Sequence, residues 1–256
     1  MGQALFRCAK RFDGIAVAAA TEASGHPGLG RDAGLVAGIG ETGVTLTDDL
    51  KAALAGADVM IDFSVHEAVP ANLRYAVELR RAVVLGTTGL NDAERAAVQR
   101  AAQVVPIVWA PNMSLGVNLL FALVEKAASI LGPDYDAEIV ETHHRFKKDA
   151  PSGTALRLGE KVAAGRGQVF ASVANYGREG MVGERPRGQI GIHAVRAGDA
   201  IGDHTVMFAT EGERVELSHH ATSRDAFAMG ALHAARWVAS QRPRLYDMQD
   251  VLGLNR

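Results

Sequence analysis

Residues 143–155, HHRFKKDAPSGTA, hold the densest chemistry in the chain. Five of the first six are basic or imidazole, and Pro151 and Ser152 then open a helix whose first N–H groups, at Gly153 and Thr154, favour an anion. Cationic side chains facing a helix N-terminus make a trap for carboxylates. His143 can exchange a proton near neutral pH, and Lys147 is a second donor where partial burial or neighbouring positive charge tunes it. A solvated basic loop is the plain alternative, but it gives no reason for adjacent histidines or for a Ser-Gly-Thr helix start.

A second group of residues points to a nucleotide. Gly86-Thr87-Thr88-Gly89 ends one apolar run, and Ala110-Pro111-Asn112-Met113-Ser114 ends the next. Small and hydroxyl-bearing residues at the carboxyl ends of neighbouring strands let a ligand approach the backbone. Glu22 follows GIAVAAAT, the place where a dinucleotide fold puts a carboxylate for the adenosine ribose. Ala23 follows it, so no arginine there meets a 2′-phosphate, which favours NAD over NADP. Each feature alone also fits an ordinary strand-to-helix turn.

Other chemistries find less support. His204, His219 and His220 suggest a metal, but no cysteine or closely spaced carboxylate completes a shell, and no metal site is expected. No G-x-S-x-G supplies a hydrolase serine. Met113 and Phe146 read as packing residues.

The elements that must carry these residues follow from periodicity. DVMIDFS at 58–64, AVVLGTTG at 82–89 and VVPIVWAPN at 104–112 are strands, each followed by a helical stretch. Asn91 and Glu94 form a capping-box pair, and Ser114 is placed to cap SLGVNLLFALVEKAASIL. Three β-α units with short links predict a parallel, doubly wound sheet. The pattern then changes. DAEIVETHH at 136–144 alternates as a strand and Ser152 caps a helix to 165. Residues 165–191 predict a long working loop, and IGIHAVRAG, HTVMFAT and RVELSHHATS predict a sheet with antiparallel pairs. FAMGALHAARWVASQ at 227–241 returns to helix before a short capped tail, RPRLYDMQDVLGLN. The first fourteen residues read as a surface helix.

With 256 residues, 48% hydrophobic and 22% charged, the chain has room for one large or two modest domains with real cores. A net charge of −2 gives no bulk field for nucleic acid or an anionic membrane, so neither is an expected partner. Apolar runs such as LLFALV at 119–124 fall short of the ~20 residues that cross a bilayer. One cysteine, Cys8, excludes an internal disulfide framework and suits a reducing, cytoplasmic compartment.

In this order the motifs resemble the 4-hydroxy-tetrahydrodipicolinate reductase family, formerly dihydrodipicolinate reductase. The likeness spans nearly the whole chain: IDFS, VVLGTTG, APNMSLGVN, EIVETHHRFKKDAPSGTAL, VRAGDAIGDHTVMFATEGERVELSHHATSR and DMQDVLGLN. It implies a Rossmann-like dinucleotide-binding domain from residues 1–114 and 224–256, and an α+β substrate and tetramerisation domain with a mixed sheet from 115–223. It implies NADH or NADPH at Met1, Glu22, Gly86, Thr87, Thr88, Ala110, Pro111, Asn112 and Met113. His143 and Lys147 match the proton-transfer positions; His144, Gly153 and Thr154 match substrate positions, with Ser152 beside them. A hydride reduces the unsaturated dicarboxylate ring in lysine and diaminopimelate biosynthesis, in a cytoplasmic homotetramer. The family's opening strand and glycine turn have no counterpart here beyond Met1-Gly2, so an internal start or a truncation is expected, and a truncated, non-catalytic dicarboxylate-binding oligomer is the alternative. Phe146 stands where the family usually has a histidine, and Met113 where it has a phenylalanine.

Overall fold

The computed structural model of this chain describes residues 1–254. Its contacts divide it into two compact units: one runs from Met1 to Leu115 and resumes at Arg224, the other is Gly116–Ser223. Relative to the expected domain bounds, Leu115 changes sides; residues 255 and 256, which the expected tail and domain include, lie outside the described residues.

The first unit opens with α1 (Gly2–Ala9), which buries Ala4, Cys8 and Ala9 against Ala228 and Leu232. The expected surface helix is therefore half interior: its basic face is solvated, its small-residue face is core. Two short strands follow, β1 (Ala20–Thr21) and, after α2 (Ala33–Val36), β2 (Leu46–Thr47). After α3 (Leu50–Ala55) come the β-α units read from the sequence: β3 (Val59–Asp62), α4 (Val69–Leu79), β4 (Ala82–Leu85), α5 (Asp92–Ala101) and β5 (Ile107–Trp109). Pro70 stands in the first turn of α4, where its missing N–H costs no helical bond. The Asn91–Glu94 capping box is made in both directions.

The second unit is built on α6 (Leu115–Leu131), β6 (Asp136–His143), α7 (Gly153–Gly165), α8 (Phe170–Val173), β7 (Ala174–Tyr176), β8 (Ile190–Arg196), β9 (Gly202–Thr210) and β10 (Glu213–Ala221). The strands form a mixed sheet in the order β10-β9-β6-β8-β7, with β6, β8 and β7 parallel and β9 antiparallel to both its neighbours. One face carries Ala137, Ile139, Ile190, Ile192, Val206 and Phe208, packed on α6 and α7. The other face has no covering helix among the described residues. Residues 165–191 are not all loop: Phe170 packs on the core and α8 and β7 interrupt them, leaving 177–189 irregular.

By length and composition Leu115–Asp134 could cross a membrane, which corrects the reading that every apolar stretch is too short. Val117, Leu120, Phe121, Val124 and Ala128 of this helix are buried in the core, while Leu119, Leu123 and Ile130 are exposed. The chain then returns to the first unit through α9 (Asp225–Val238), β11 (Leu245–Tyr246) and α10 (Met248–Val251). The tail read as merely capped thus contributes a strand to a parallel sheet ordered β11-β5-β4-β3. Among the described residues β1 and β2 pair only with each other, and β3 is an edge. In a doubly wound sheet the strand preceding the first helix stands between two such pieces.

Candidate active site

Strand β6 brings the proton-transfer candidates into order. Its alternation turns Ala137, Ile139 and Glu141 inward, and Glu141 is fully buried. A buried carboxylate must be paired. Glu141 Oε1 accepts the Ser152 N–H at 3.0 Å and Oε2 lies 2.5 Å from His143 Nδ1. The Arg196 guanidinium, from β8, spans both oxygens at 2.9 Å each. Burial alone would raise this carboxyl, but the bonds from Arg196, His143 and the Ser152 N–H outweigh it and hold the group below the usual carboxylate range. Glu141 is therefore an anion that can only accept, so Nδ1 of His143 carries a proton and Nε2 is the ring's outer nitrogen. Nε2 lies over Gly202, where a Cβ would approach to 3.0 Å.

His204 stacks edge-on against His143 with centroids 5.2 Å apart, and its Nε2 meets the Ser152 hydroxyl at 3.1 Å. Burial, reinforced by His143, pushes the His204 imidazolium down to about 3, so this ring is neutral. His219 pairs with it in register across β9 and β10, while His220 lies on the opposite face beside Asp203. Among the described residues, no histidines, cysteines and carboxylates gather in a metal-holding group.

Lys147 turns back on the β6 exit: its N–H donates to the His144 carbonyl, and its ammonium group bonds both oxygens of Asp149 at 2.8 Å. That pairing holds the Asp149 carboxyl below its ordinary range. His144 is tied through its N–H to the Ala200 carbonyl at 2.7 Å, and Phe146 is exposed. Gly153 and Thr154 are the first two residues of α7. Ser152 is 3% exposed, and its hydroxyl takes the Ala155 N–H and faces His204. It caps the helix rather than reaching a ligand.

The sequence reading missed Glu141 and Arg196, and weighed His204 only as a metal ligand. Glu141 was legible: in DAEIVETHH it falls on the same alternating face as Ala137 and Ile139, and a carboxylate there needs a buried cation. Arg196 and His204 carry no comparable local signal.

In the first unit, Asp62-Phe63-Ser64, the GTTG turn and APNM end three adjacent parallel strands, the edge at which open α/β sheets take dinucleotides. Thr88, Gly89 and Pro111 are exposed there and Asn112 partly so. Thr87 is not: its hydroxyl donates to the Ser64 carbonyl at 3.2 Å and it is 4% exposed. Gly86 is required by packing, since a Cβ would strike the Phe63 ring at 2.2 Å. Met113 and Ala110 have buried side chains, which leaves them backbone contacts only, and Asn112 Oδ1 accepts the Ser114 N–H at 2.9 Å to set the turn into α6. Glu22 stays exposed just after β1, its Oε1 accepting the Ala23 N–H. Met1 is the N-cap of α1. These residues fit a pyridine nucleotide at its ribose and nicotinamide ends; a glycine-rich pyrophosphate turn is absent among the described residues.

The sequence model described as dihydrodipicolinate reductase, N-terminus, matches residues 1–113, and that described as dihydrodipicolinate reductase, C-terminus, matches 116–252. The chain is 48% identical to the 4-hydroxy-tetrahydrodipicolinate reductase of Geotalea uraniireducens (strain Rf4) over 99% of its own length and 95% of the relative's. It is 51% identical to the reductase of the same name from Anaeromyxobacter dehalogenans (strain 2CP-1), over 99% and 94%. Among solved structures, a dipicolinate-bound dihydrodipicolinate reductase from Paenisporosarcina sp. TG-14 shares its fold with a TM-score of 0.75 at 23% identity, covering 97% of this chain and 94% of that one.

Proposed function

Because this chain belongs to the dihydrodipicolinate reductase family, we propose that His143 and Lys147 manage the proton of its reaction and that His144, Gly153 and Thr154 hold the substrate's carboxylates. The reaction is the NAD(P)H-dependent reduction of 4-hydroxy-tetrahydrodipicolinate to tetrahydrodipicolinate, a step of lysine and diaminopimelate biosynthesis. One hydride and one proton enter the ring and one water leaves. The reduced nicotinamide supplies the hydride when bound; the chain's own residues must orient the ring and move the proton.

The observation that carries the assignment is that one buried carboxylate, Glu141, holds both the His143 imidazole and the first residue before α7. A proton donor and a helix N-terminus are thereby fixed side by side in one unit, the arrangement a carboxylated ring needs: the helix end and the cations of 144–148 take its charges while His143 Nε2, the nitrogen not bonded to Glu141, serves the proton. Lys147 reaches substrate by exchanging Asp149 for an incoming carboxylate. We assign nucleotide binding to the first unit, at Met1, Glu22, Gly86, Thr88, Pro111 and Asn112 with backbone contributions from Thr87, Ala110 and Met113, and substrate binding to the second. NADH or NADPH is the hydride source.

The same reading makes the protein a cytoplasmic homotetramer. A sheet face with no helix over it among the described residues, bearing the exposed Val140 and Val195, suits burial against other copies, and a buried Cys8 in no disulfide suits a reducing compartment. No observation favours a non-catalytic dicarboxylate-binding oligomer. In the deciding assay, the purified chain oxidises NADH or NADPH only when the condensation product of pyruvate and aspartate semialdehyde is present. His143→Ala and Lys147→Ala each lower kcat by about 100-fold or more while leaving nucleotide affinity within about threefold. Loss of nucleotide affinity in place of turnover overturns the site assignment, and a light-scattering mass other than four chains overturns the tetramer.

A further inference from the structure

The second unit contains a buried ion pair that holds several parts of the site at once. Glu141 is fully buried and Arg196 is 20% exposed. Besides spanning both Glu141 oxygens, Arg196 donates from Nη2 to the Asp149 carbonyl at 2.7 Å and from Nη1 to the Val195 carbonyl at 2.7 Å. Each oxygen of Glu141 is thus divided between Arg196 and a piece of the site: Oε2 serves His143 Nδ1, Oε1 serves the Ser152 N–H. The His143 main chain is fixed separately, its carbonyl accepting the Ala197 N–H at 2.9 Å, so the carboxylate governs the ring rather than the strand.

We propose that Glu141 and Arg196 are positioning residues of the reduction: the carboxylate selects the Nδ1–H tautomer of His143 and orients its ring so that Nε2 serves the proton transfer, while the guanidinium fixes that carboxylate in place and ties it to the Lys147–Asp149 turn. This rests on His143 being a proton donor. The chemistry is that of a carboxylate behind a catalytic imidazole, where the carboxylate sets tautomer and orientation and is not itself protonated. The groups facing the His143 ring leave the task to Glu141. On β6 it is Glu141, from β8 Arg196 acting through it, and from β9 His204, which is neutral; His219 on β10 and Lys147 in the loop act electrostatically on His204. Glu141 is the one counter-ion bonded to the imidazole among these residues.

Glu141→Gln is nearly isosteric. It keeps an oxygen for the Ser152 N–H and Arg196 Nη2 but sets an amide NH2 where both His143 Nδ1–H and Arg196 Nη1–H donate, so one arm of the guanidinium fork is lost with it. An amide N–H there forces Nδ1 to accept, leaving a neutral ring with Nε2–H, which is a poor acid. The expected result is a kcat lower by about 100-fold or more, with KM for the dicarboxylate within about threefold and dipicolinate binding retained. The far-downfield proton resonance of His143 Nδ1–H, identified by its absence in His143→Ala, disappears. In the His143→Ala background the same change costs no more than about twofold in kcat, because residues acting as one unit are not additive.

If Glu141→Gln proves unfolded by thermal melt, Glu141→Asp carries the test. It keeps the charge for Arg196 but withdraws it by one methylene from Nδ1, and it should lose the downfield resonance and about tenfold in kcat. Arg196→Lys, which removes the fork, should fall in the same direction. Full kcat in folded Glu141→Gln or Glu141→Asp, an unchanged resonance, or additive losses in the double variant overturns the proposal. Full kcat in His143→Ala instead overturns the assignment of His143, and the two failures are told apart by that one variant.

Discussion

Gly230, in the middle of α9, tests how the APNM turn is held. A Cβ built there lies 1.7 Å from the Met113 carbonyl oxygen, and contacts below 3.0 Å are essentially never made by real side chains. Gly230→Ala therefore requires the Met113 carbonyl and helix α9 to part by at least about 1.3 Å, the difference between those distances. Met113 has 1% exposure and sits in a cluster with Ala231, Ala234 and Ala235 of the same helix, so neither partner has empty space to move into. Two terms oppose each other. Alanine gains about 1 kcal/mol over glycine in a helix interior. Overpacking against rigid backbone costs about 1–3 kcal/mol or more. At a displacement of this size the clash wins, and the net loss is about 1–2 kcal/mol.

For a chain of this length such a loss lowers Tm by about 2–8 °C. The consequence for binding is separate: moving the Met113 carbonyl moves the turn proposed to carry the nucleotide, and a loss of about 1.4 kcal/mol there is tenfold in Kd. Differential scanning calorimetry and fluorescence titration with NADH read the two effects independently. Gly56→Ala serves as the control, because nothing lies within 4 Å of its Cβ and its φ is negative; it should be neutral or slightly stabilising. A Gly230→Ala protein with Tm equal to or above that of the parent, and the same NADH affinity, refutes the reasoning that α9 seats this turn.

Glu138 gives a pH prediction. Burial would raise its carboxyl, but Arg178, His193 and Arg185 bond it and hold it at about 2 against an ordinary 4.5. Depression of an acid's folded value means stability present above about pH 4.5 and lost as pH falls from there to about 2, in total about 3 kcal/mol. Glu138→Gln should lose that much at pH 7 and flatten the acid limb of a stability curve, and an unaltered limb contradicts it. Thr87→Val leaves the Ser64 carbonyl without its hydroxyl donor beneath the GTTG turn; a loss of about 1–2 kcal/mol in denaturant unfolding is expected, with dipicolinate binding untouched.

Elements with local signals were legible from the sequence. The capping box of Asn91 and Glu94, the Ser152 cap and the apolar runs ending in GTTG and APNM depend on neighbours a few residues away, and the structure has each of them. What was not legible depends on distant partners. β11 is two residues long and exists because Ile107 and Val108 offer it an edge. The half-burial of α1 is decided by Ala228 and Leu232, more than two hundred residues away. Thr87 was read as ligand-facing because a hydroxyl at a strand's carboxyl end suggests a donor; the Ser64 carbonyl claims it first. Residue type was read correctly there and direction was not, since direction is set by tertiary packing.

The basic loop faces two opposing demands in the proposed reaction. It must offer positive charge to a dicarboxylate, yet its cations cannot be left unpaired before substrate arrives without repelling the imidazolium of His143. The structure meets both by giving the cations counter-ions of unequal exposure. Asp149, paired with Lys147, has a side chain 67% exposed, whereas Glu141, paired with Arg196 and His143, has none. An exposed ion pair is worth about 0–1 kcal/mol, so a substrate carboxylate can take Lys147 from Asp149 at little cost. Breaking a buried pair costs about 3–5 kcal/mol, which no incoming carboxylate is placed to repay. The site thus carries one exposed anion and one buried one, and in the proposed reaction it is the exposed Asp149 that a substrate carboxylate displaces, from Lys147, while Arg196 stays with Glu141 behind the imidazole.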